Sequence, residues 1–365
     1  MNVCIIGDGL TSLALAKNLV NKKIKVHIYH KKKLNNLLFN RTIGIAKNNL
    51  EFFEREIQTL SKKNIWEIKK IEIYSTKLKD KKILNFEKNK NNLFYMVKNH
   101  ELYRSLDNKL LKSKFFKKII VKKSNFYKKL LKDKNYDLII NCETNNFIAK
   151  KYFFKSINKD YCDLAYTTII KHTKLENKTA TQIFTKFGPV AFLPISSTET
   201  SVVCSFTVKN QKYTSKDIFD LIKKNNQKYK IKKFLKLNSF KLKSSNLRNY
   251  YFKNILSFGD SLHRVHPLAG QGFNMIIRDI AVLSKIIQNR IDLGMQLDLS
   301  ILEEFEKKTK HNNFIFSQGI DFIYEFFNFD KKNKDKNLTK ILQFFSQNKK
   351  INNFFIKYAD IGLRI

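Results

Sequence analysis

The chain has 365 residues, 43% of them hydrophobic, and a formal charge of +40 at pH 7, enough length and apolar content for a large core in two closely joined domains. No apolar run reaches the roughly 18 to 20 residues that cross a bilayer, and the N-terminus opens on the strand-like NVCIIG instead of a signal peptide. Cys4, Cys142, Cys162 and Cys204 are too widely separated for a CxxC or other metal-ligand pattern, so no metal is expected and a reducing, cytoplasmic compartment is.

Only eight of the 71 basic residues are arginine, and pairs such as Lys117-Lys118, Lys122-Lys123, Lys128-Lys129 and Lys232-Lys233 are scattered along the chain. Nucleic-acid surfaces cluster arginine with aromatic residues, so nucleic acid is not an expected partner. The pattern leaves two readings: a coding bias that enriches Lys, Asn, Ile and Phe throughout, or an anionic membrane surface as partner.

In chain order, MNVCIIGDGLTSLALAKNLVNKKIKVHIYH reads as strand, glycine turn, helix and strand, with Leu13, Leu15, Ala16, Leu19 and Val20 at helical spacing. Gly7 and Gly9 occupy the first two positions of a GxGxxG turn, and Ser12 the third. There the first glycine allows the tight turn, and the second lets a pyrophosphate approach the backbone at a helix N-terminus. About twenty residues on, where a ribose-binding carboxylate is usual, stand His30 and Lys31 to Lys33. Alternation in KKIEIYS near residue 72 and SVVCSFTV from Ser201 marks half-buried strands of an antiparallel sheet. The apolar KNYDLIINCE between them suits a parallel strand. Residues 300–329 read as helical, followed by the polar DKKNKDKN and a Phe-rich last segment.

The chain concentrates its special backbone in GDSLHRVHPLAGQGFN, residues 259–274, which hold three of its ten glycines, one of its three prolines and two of its seven histidines. Strand, irregular loop and a helix starting near Gly270 are expected, an arrangement that aims backbone N–H groups at an electron-rich ring edge. His263 and His266 flank this loop, and the expectation for both is satisfaction by backbone hydrogen bonds.

This second turn resembles the second flavin motif of the ubiquinone-biosynthesis FAD-dependent aromatic hydroxylases, which share the p-hydroxybenzoate hydroxylase-like fold. NRTIGIAKNNLEFF, NLFYMVKNHELYRSL, FTKFGPVAFLPIS and DLSILEEFEKKTKHNN are similar to further segments of that family, so the resemblance covers nearly the whole chain. It implies an α/β fold: a Rossmann-like FAD-binding domain (residues 1–70, 99–150 and 250–295) interleaved with an antiparallel substrate domain (71–98 and 151–249), then a C-terminal helical region (296–365). It implies that Gly7, Gly9, Leu10, Thr11 and Ser12 hold the FAD pyrophosphate, Asp260 the ribityl chain, and Arg41, Pro267, Gly270, Gln271, Gly272 and Asn274 the isoalloxazine ring.

The implied reaction takes electrons from NADPH or NADH and uses O2, through a C4a-hydroperoxyflavin, to hydroxylate a polyprenylated phenol or quinone precursor. No catalytic residue can be named. Other quinone-biosynthesis proteins are implied partners, and the lysines and INNFFIKYADIGLRI leave two readings: contact with an anionic membrane that holds the substrate, or packing of the phenylalanines against the body of the protein. Ser12, His30 and Glu143-Thr144, the last pair standing where the family has Asp-Gly, depart from the pattern. They leave two readings: an active hydroxylase, or an FAD-binding accessory subunit.

Overall fold

A computed structural model describes residues 1–31, 41–76, 82–87, 92–121, 125–133, 135–207, 213–267 and 270–332. Lys32, Lys33, Lys122, Lys123, Leu268, Ala269 and the segment 333–365, with its Phe-rich end, lie outside the described residues. Among the described residues three sheets are built. The first runs β16 (Tyr251–Phe252), β17 (Ile255–Ser257), β9 (Leu138–Asn141), β1 (Asn2–Ile6), β2 (Lys25–His30), β8 (Phe116–Ile120). All its pairings are parallel except the β16–β17 hairpin.

The second, nine-stranded, runs β18 (His263–Arg264), β15 (Asn238–Leu247), β10 (Ser156–His172), β13 (Glu199–Thr207), β12 (Pro189–Pro194), β11 (Thr179–Phe184), β5 (Lys70–Ser75), β6 (Lys82–Glu87), with β14 (Ile231–Phe234) also on β10. A three-stranded sheet, β3 (Thr42–Ala46), β7 (Phe94–Lys98), β4 (Ile65–Ile68), is joined to the second at Thr42, whose hydroxyl donates to Ser201 at 2.8 Å, and at Lys98, 2.9 Å from Glu199. Burial opposes ionisation of Glu199, but Lys98 and Lys171 outweigh it and hold the carboxyl below its ordinary range.

Eight helices complete the described residues: α1 (Leu10–Asn21), α2 (Lys47–Glu56), α3 (Asn99–Leu111), α4 (Phe126–Leu130), α5 (Phe147–Tyr152), α6 (Ser215–Asn225), α7 (Gly272–Asp292) and α8 (Ser300–Lys332). The largest core joins β1, β2 and β9 to α1, α3 and α7, with Leu13, Ala14, Leu15, Ala16 and Leu19 of α1 fully buried. Strands covered on both faces read as unbroken apolar runs, as VCII and LIIN do.

One sequence expectation is corrected. The second sheet is mixed, because β5 pairs in parallel with β11 while its other ladders are antiparallel. Parallel pairing needs a long crossover, and about a hundred residues separate these two strands. Residues 300–332 form one continuous 33-residue helix, in line with the helical reading of 300–329.

Candidate functional site

The parallel strands β17, β9, β1 and β2 end on one side of the first sheet, and β1 sits where the order reverses, with β2 on one flank and β9 on the other. Ligand crevices of open α/β sheets lie at that switch point. The first turn is there. Gly7 has φ +103 and its N–H donates to Tyr29 O at 2.8 Å, while Gly9 caps α1 in extended backbone. A β-carbon on Gly9 would meet nothing within 4 Å, and α1 has no acidic residue in its first turn. An anion can therefore approach the helix N-terminus without meeting an acidic side chain of α1's own first turn.

The second turn is pressed against the first. Gly259 has φ +66, and a β-carbon on it would stand 2.5 Å from Thr11 Cγ2. Asp260 is exposed, in the single 3-10 turn Gly259–Ser261. Ser261 Oγ reaches Asn141 Nδ2 (3.2 Å), Ser257 Oγ (2.9 Å) and Glu143 O (3.3 Å), so it ties this turn to the ends of β17 and β9.

Further along, Gly270 has φ +63 and donates its N–H to Pro267 O at 3.2 Å. Left-handed backbone cannot enter an α-helix, which is why α7 starts at Gly272 and not at Gly270. A β-carbon on Gly272 would again face nothing within 4 Å, and α7 too has no acid in its first turn. Two glycine-started helix N-termini thus border the same region, each with space in front.

Asn274 is 2% exposed and is committed inward: Oδ1 accepts from Ala46 N (2.8 Å) and Asn49 Nδ2 (2.9 Å), and Nδ2 donates to Gly44 O (3.0 Å). It fastens α7 to β3 and α2, and so shapes the turn. Gln271 is also nearly buried. Arg41 is exposed at the start of β3, three residues from Gly44, whose backbone N lies 4.0 Å from the β-carbon position of Gly270. Leu10 and Thr11 are half-buried, and Ser12 is fully buried beside the thiol of Cys142, which burial pushes up to about 12 although Ser12 opposes the rise.

The departures from the family pattern have physical counterparts. Glu143 Cγ lies 2.9 Å from the β-carbon position of Gly7, so its longer side chain lies along the first turn, and its carboxylate accepts from Tyr127 OH at 3.4 Å. Thr144 is not among the positive-φ residues, so this backbone does not require the glycine that it replaces. Sequence reasoning missed Asp8. This carboxylate, 8% exposed, has Oδ2 at 3.3 Å from His30 Nδ1 and 3.4 Å from Tyr103 OH. Lys118 extends the chain of contacts, with Nζ 3.2 Å from Tyr103 OH and 2.8 Å from Asp107. An acid between the two glycines of GDG, facing a histidine where an acid is usual, was the available signal.

His263 uses a side-chain partner in place of the backbone one expected of it. His263, 3% exposed, donates from Nε2 to Asp279 Oδ2 at 2.5 Å, and Asn313 of α8 donates to the other oxygen at 2.9 Å. His266, 1% exposed, sits between the rings of Tyr161 and Tyr324 at 4.9 and 4.5 Å. Tyr161 donates to Asp321, and Tyr324 to Asp163 at 2.6 Å. Burial, helped by the charge of Lys159, pulls the His266 imidazole down to about 3. No group of three or more metal-ligating side chains occurs among the described residues.

Residues 150–358 match the squalene epoxidase family model. The chain belongs to that family. It is 23% identical to the ubiquinone biosynthesis monooxygenase COQ6, mitochondrial, of Dictyostelium discoideum, over 89% of this chain and 84% of that protein. It is 30% identical to the 3-demethoxyubiquinol 3-hydroxylase of Escherichia coli over 24% of this chain and 22% of that one. Among solved structures, p-nitrophenol 4-monooxygenase PnpA of Pseudomonas putida superposes with a TM-score of 0.77 at 10% identity, covering 100% of this chain and 98% of that one. Klebsiella pneumoniae HpxO, solved with FAD and uric acid, gives 0.74 at 12%, covering 99% and 97%. At these identities the superpositions establish the fold.

Two outcomes are expected. Gly259→Ala combines left-handed strain with overpacking and destabilises the apo-protein by about 2 kcal/mol or more in urea unfolding, and adding Thr11→Ser, which removes the opposing methyl, restores part of the loss. For His266 the folded-state value of about 3 lies below the ordinary 6.5, so between those pH values the unfolded chain binds the extra proton. Stability then falls as pH drops below 6.5, by up to about 1.4 kcal/mol per pH unit from this group. His266→Phe should flatten the slope of unfolding free energy against pH in that window, and an unchanged slope would contradict the assignment.

Proposed function

We propose that the chain hydroxylates the aromatic ring of a polyprenylated phenol or quinone precursor, using FAD, O2 and NADPH or NADH. The observation that carries this reading is the pair of glycine-started helix N-termini, α1 at Gly9 and α7 at Gly272, facing open space beside one switch point. Such a cradle fits a dinucleotide with negative charge at its pyrophosphate and at its reduced ring. The chemistry supplied with FAD in place is the passage of electrons from a nicotinamide to O2, one oxygen atom going to an aromatic carbon and the other leaving as water.

The chain's own residues hold and orient. Gly7, Gly9, Leu10, Thr11 and Ser12 form the pyrophosphate seat, and Asp260 accepts from the ribityl hydroxyls. Backbone N–H groups around Gly270, Gln271 and Gly272 stabilise charge at the ring edge, with Pro267 shaping the turn and Arg41 approaching along β3. Residues 1–70, 99–150 and 250–295 make up the FAD-binding unit, and 71–98 and 151–249 the substrate unit.

At the adenosine end, Asp8 takes over the part of the missing acid at the end of β2. Its carboxylate is within reach of His30, and a carboxylate accepts several hydrogen bonds at once. Asp8→Asn should weaken FAD binding on the order of tenfold, the worth of a hydrogen bond to a charged group, while leaving FMN, which has no adenosine, unaffected in fluorescence-quenching titrations. Equal losses for both flavins would remove Asp8 from this role.

The decisive measurement is anaerobic reduction of the FAD-loaded protein by NADPH and NADH, with and without prenylphenols. Reduction at least several-fold faster with one of them is expected. Bound FAD with no ligand-stimulated reduction would support the accessory-subunit reading instead, and protein that stays colourless with excess FAD would sink both.

A further inference from the structure

Between α8 and the corner that leads from β15 to β17 lies a groove of about 1040 Å3 that none of the flavin chemistry uses. One wall is a single face of α8, with Glu303, Lys307, Lys310 and Phe314 at i, i+4, i+7 and i+11. The other is the β16–β17 hairpin, whose two-residue tip starts with Lys253 in left-handed backbone at φ +51. This tip presents Phe252 beside Lys253.

The apolar side chains of the groove are unusually uncovered: Ile157 is 43% exposed, Phe252 40% and Phe314 39%. Phe252 stacks on Tyr152 of α5 at 4.5 Å, with 17° between the planes. Lysines lie over the same rings, Lys253 at 5.8 Å from the Phe252 centroid and Lys151 at 5.3 Å from that of Tyr152. Lys310 is neutralised by Glu306 at 2.6 Å, whereas Arg248, Lys253 and Lys307 make no ion pair among the described residues.

Aromatic rings with basic groups at their edges match the boundary between acyl chains and anionic headgroups, where the ring enters the apolar layer and the cation stays with phosphate. We propose that this groove seats the protein on an anionic phospholipid bilayer, with Phe252 and Phe314 toward the acyl boundary and Arg248, Lys253 and Lys307 on headgroup phosphates. No helix among the described residues is long and apolar enough to cross a membrane, so the contact is one of surface docking. It deepens the proposed function, resting on a lipid-borne substrate, and names the surface that would face its source.

Net charge alone attracts this protein to anionic vesicles, so the test compares equal charge changes at two places. The FAD-loaded full chain is co-floated with phosphatidylcholine vesicles with and without phosphatidylglycerol. Lys253→Glu with Lys307→Glu should lower partitioning to the anionic vesicles by tenfold or more, since a lysine near such a surface is worth roughly fivefold. Phe252→Ser should lower it severalfold. Lys232→Glu with Lys233→Glu, on the exposed part of β14, should change it less than twofold. Equal losses from both charge pairs, no preference for anionic vesicles, or tighter groove-dependent binding of a single-stranded RNA oligonucleotide would each overturn the proposal. Flavin reduction by NAD(P)H with a detergent-dispersed prenylphenol, measured on the same variants, separates failure of this surface from failure of the catalytic reading.

Discussion

The arrangement depends on one close approach, backbone to side chain, between Gly259 and Thr11. Any residue with a β-carbon at 259 would force apart two segments that are about 250 positions distant in the sequence. Because they touch, the end of β17 lies beside the start of α1, and the loop that follows is delivered to the crevice at the switch point. Ser261 then locks the turn to β9 through Asn141 and Glu143. The space in front of Gly9 and Gly272 is kept open by contacts made elsewhere.

Those contacts continue into a buried polar layer behind the second turn. His263 and Asp279 join the loop to α7, and Asn313 joins both to α8. Ser317 of α8 donates to Asn246 of β15 at 3.0 Å, and Tyr324 reaches Asp163 of β10. Buried polar groups are costly unless satisfied, so a connected layer of this kind admits few alternative packings. The long helix α8 is thereby fixed to α7 and to the second sheet. The loop held against it has two histidines with different tasks, one bonded to a carboxylate and one kept neutral between rings.

Much of this was legible in the residues. The βαβ opening, the buried β9 and the second glycine turn announce themselves by periodicity and by where a glycine-poor chain places its glycines. The same pattern could not show which side chains turn inward. Asn274 belongs to the motif, yet its amide is used in joining α7 to β3, a contact across more than two hundred residues. Asp8 was hidden because local rules assign the ribose acid to the end of β2, whereas spatial proximity lets a carboxylate one strand away reach the same place. The parallel pairing of β5 with β11 was invisible because alternation reports a half-covered face and is silent about the neighbour's direction.

The first sheet also has a temporal consequence. Its strands β1, β2, β8 and β9 are synthesised early, but β17 and the start of α7 come only after nearly all of the second sheet. A ribosome must therefore release roughly three quarters of the polypeptide before the crevice has both of its walls. Until then the half-built sheet has an open edge at β9, the kind of edge that invites mispairing during slow, non-local folding. Any ligand that touches both walls of the crevice is consequently bound late in the life of each molecule.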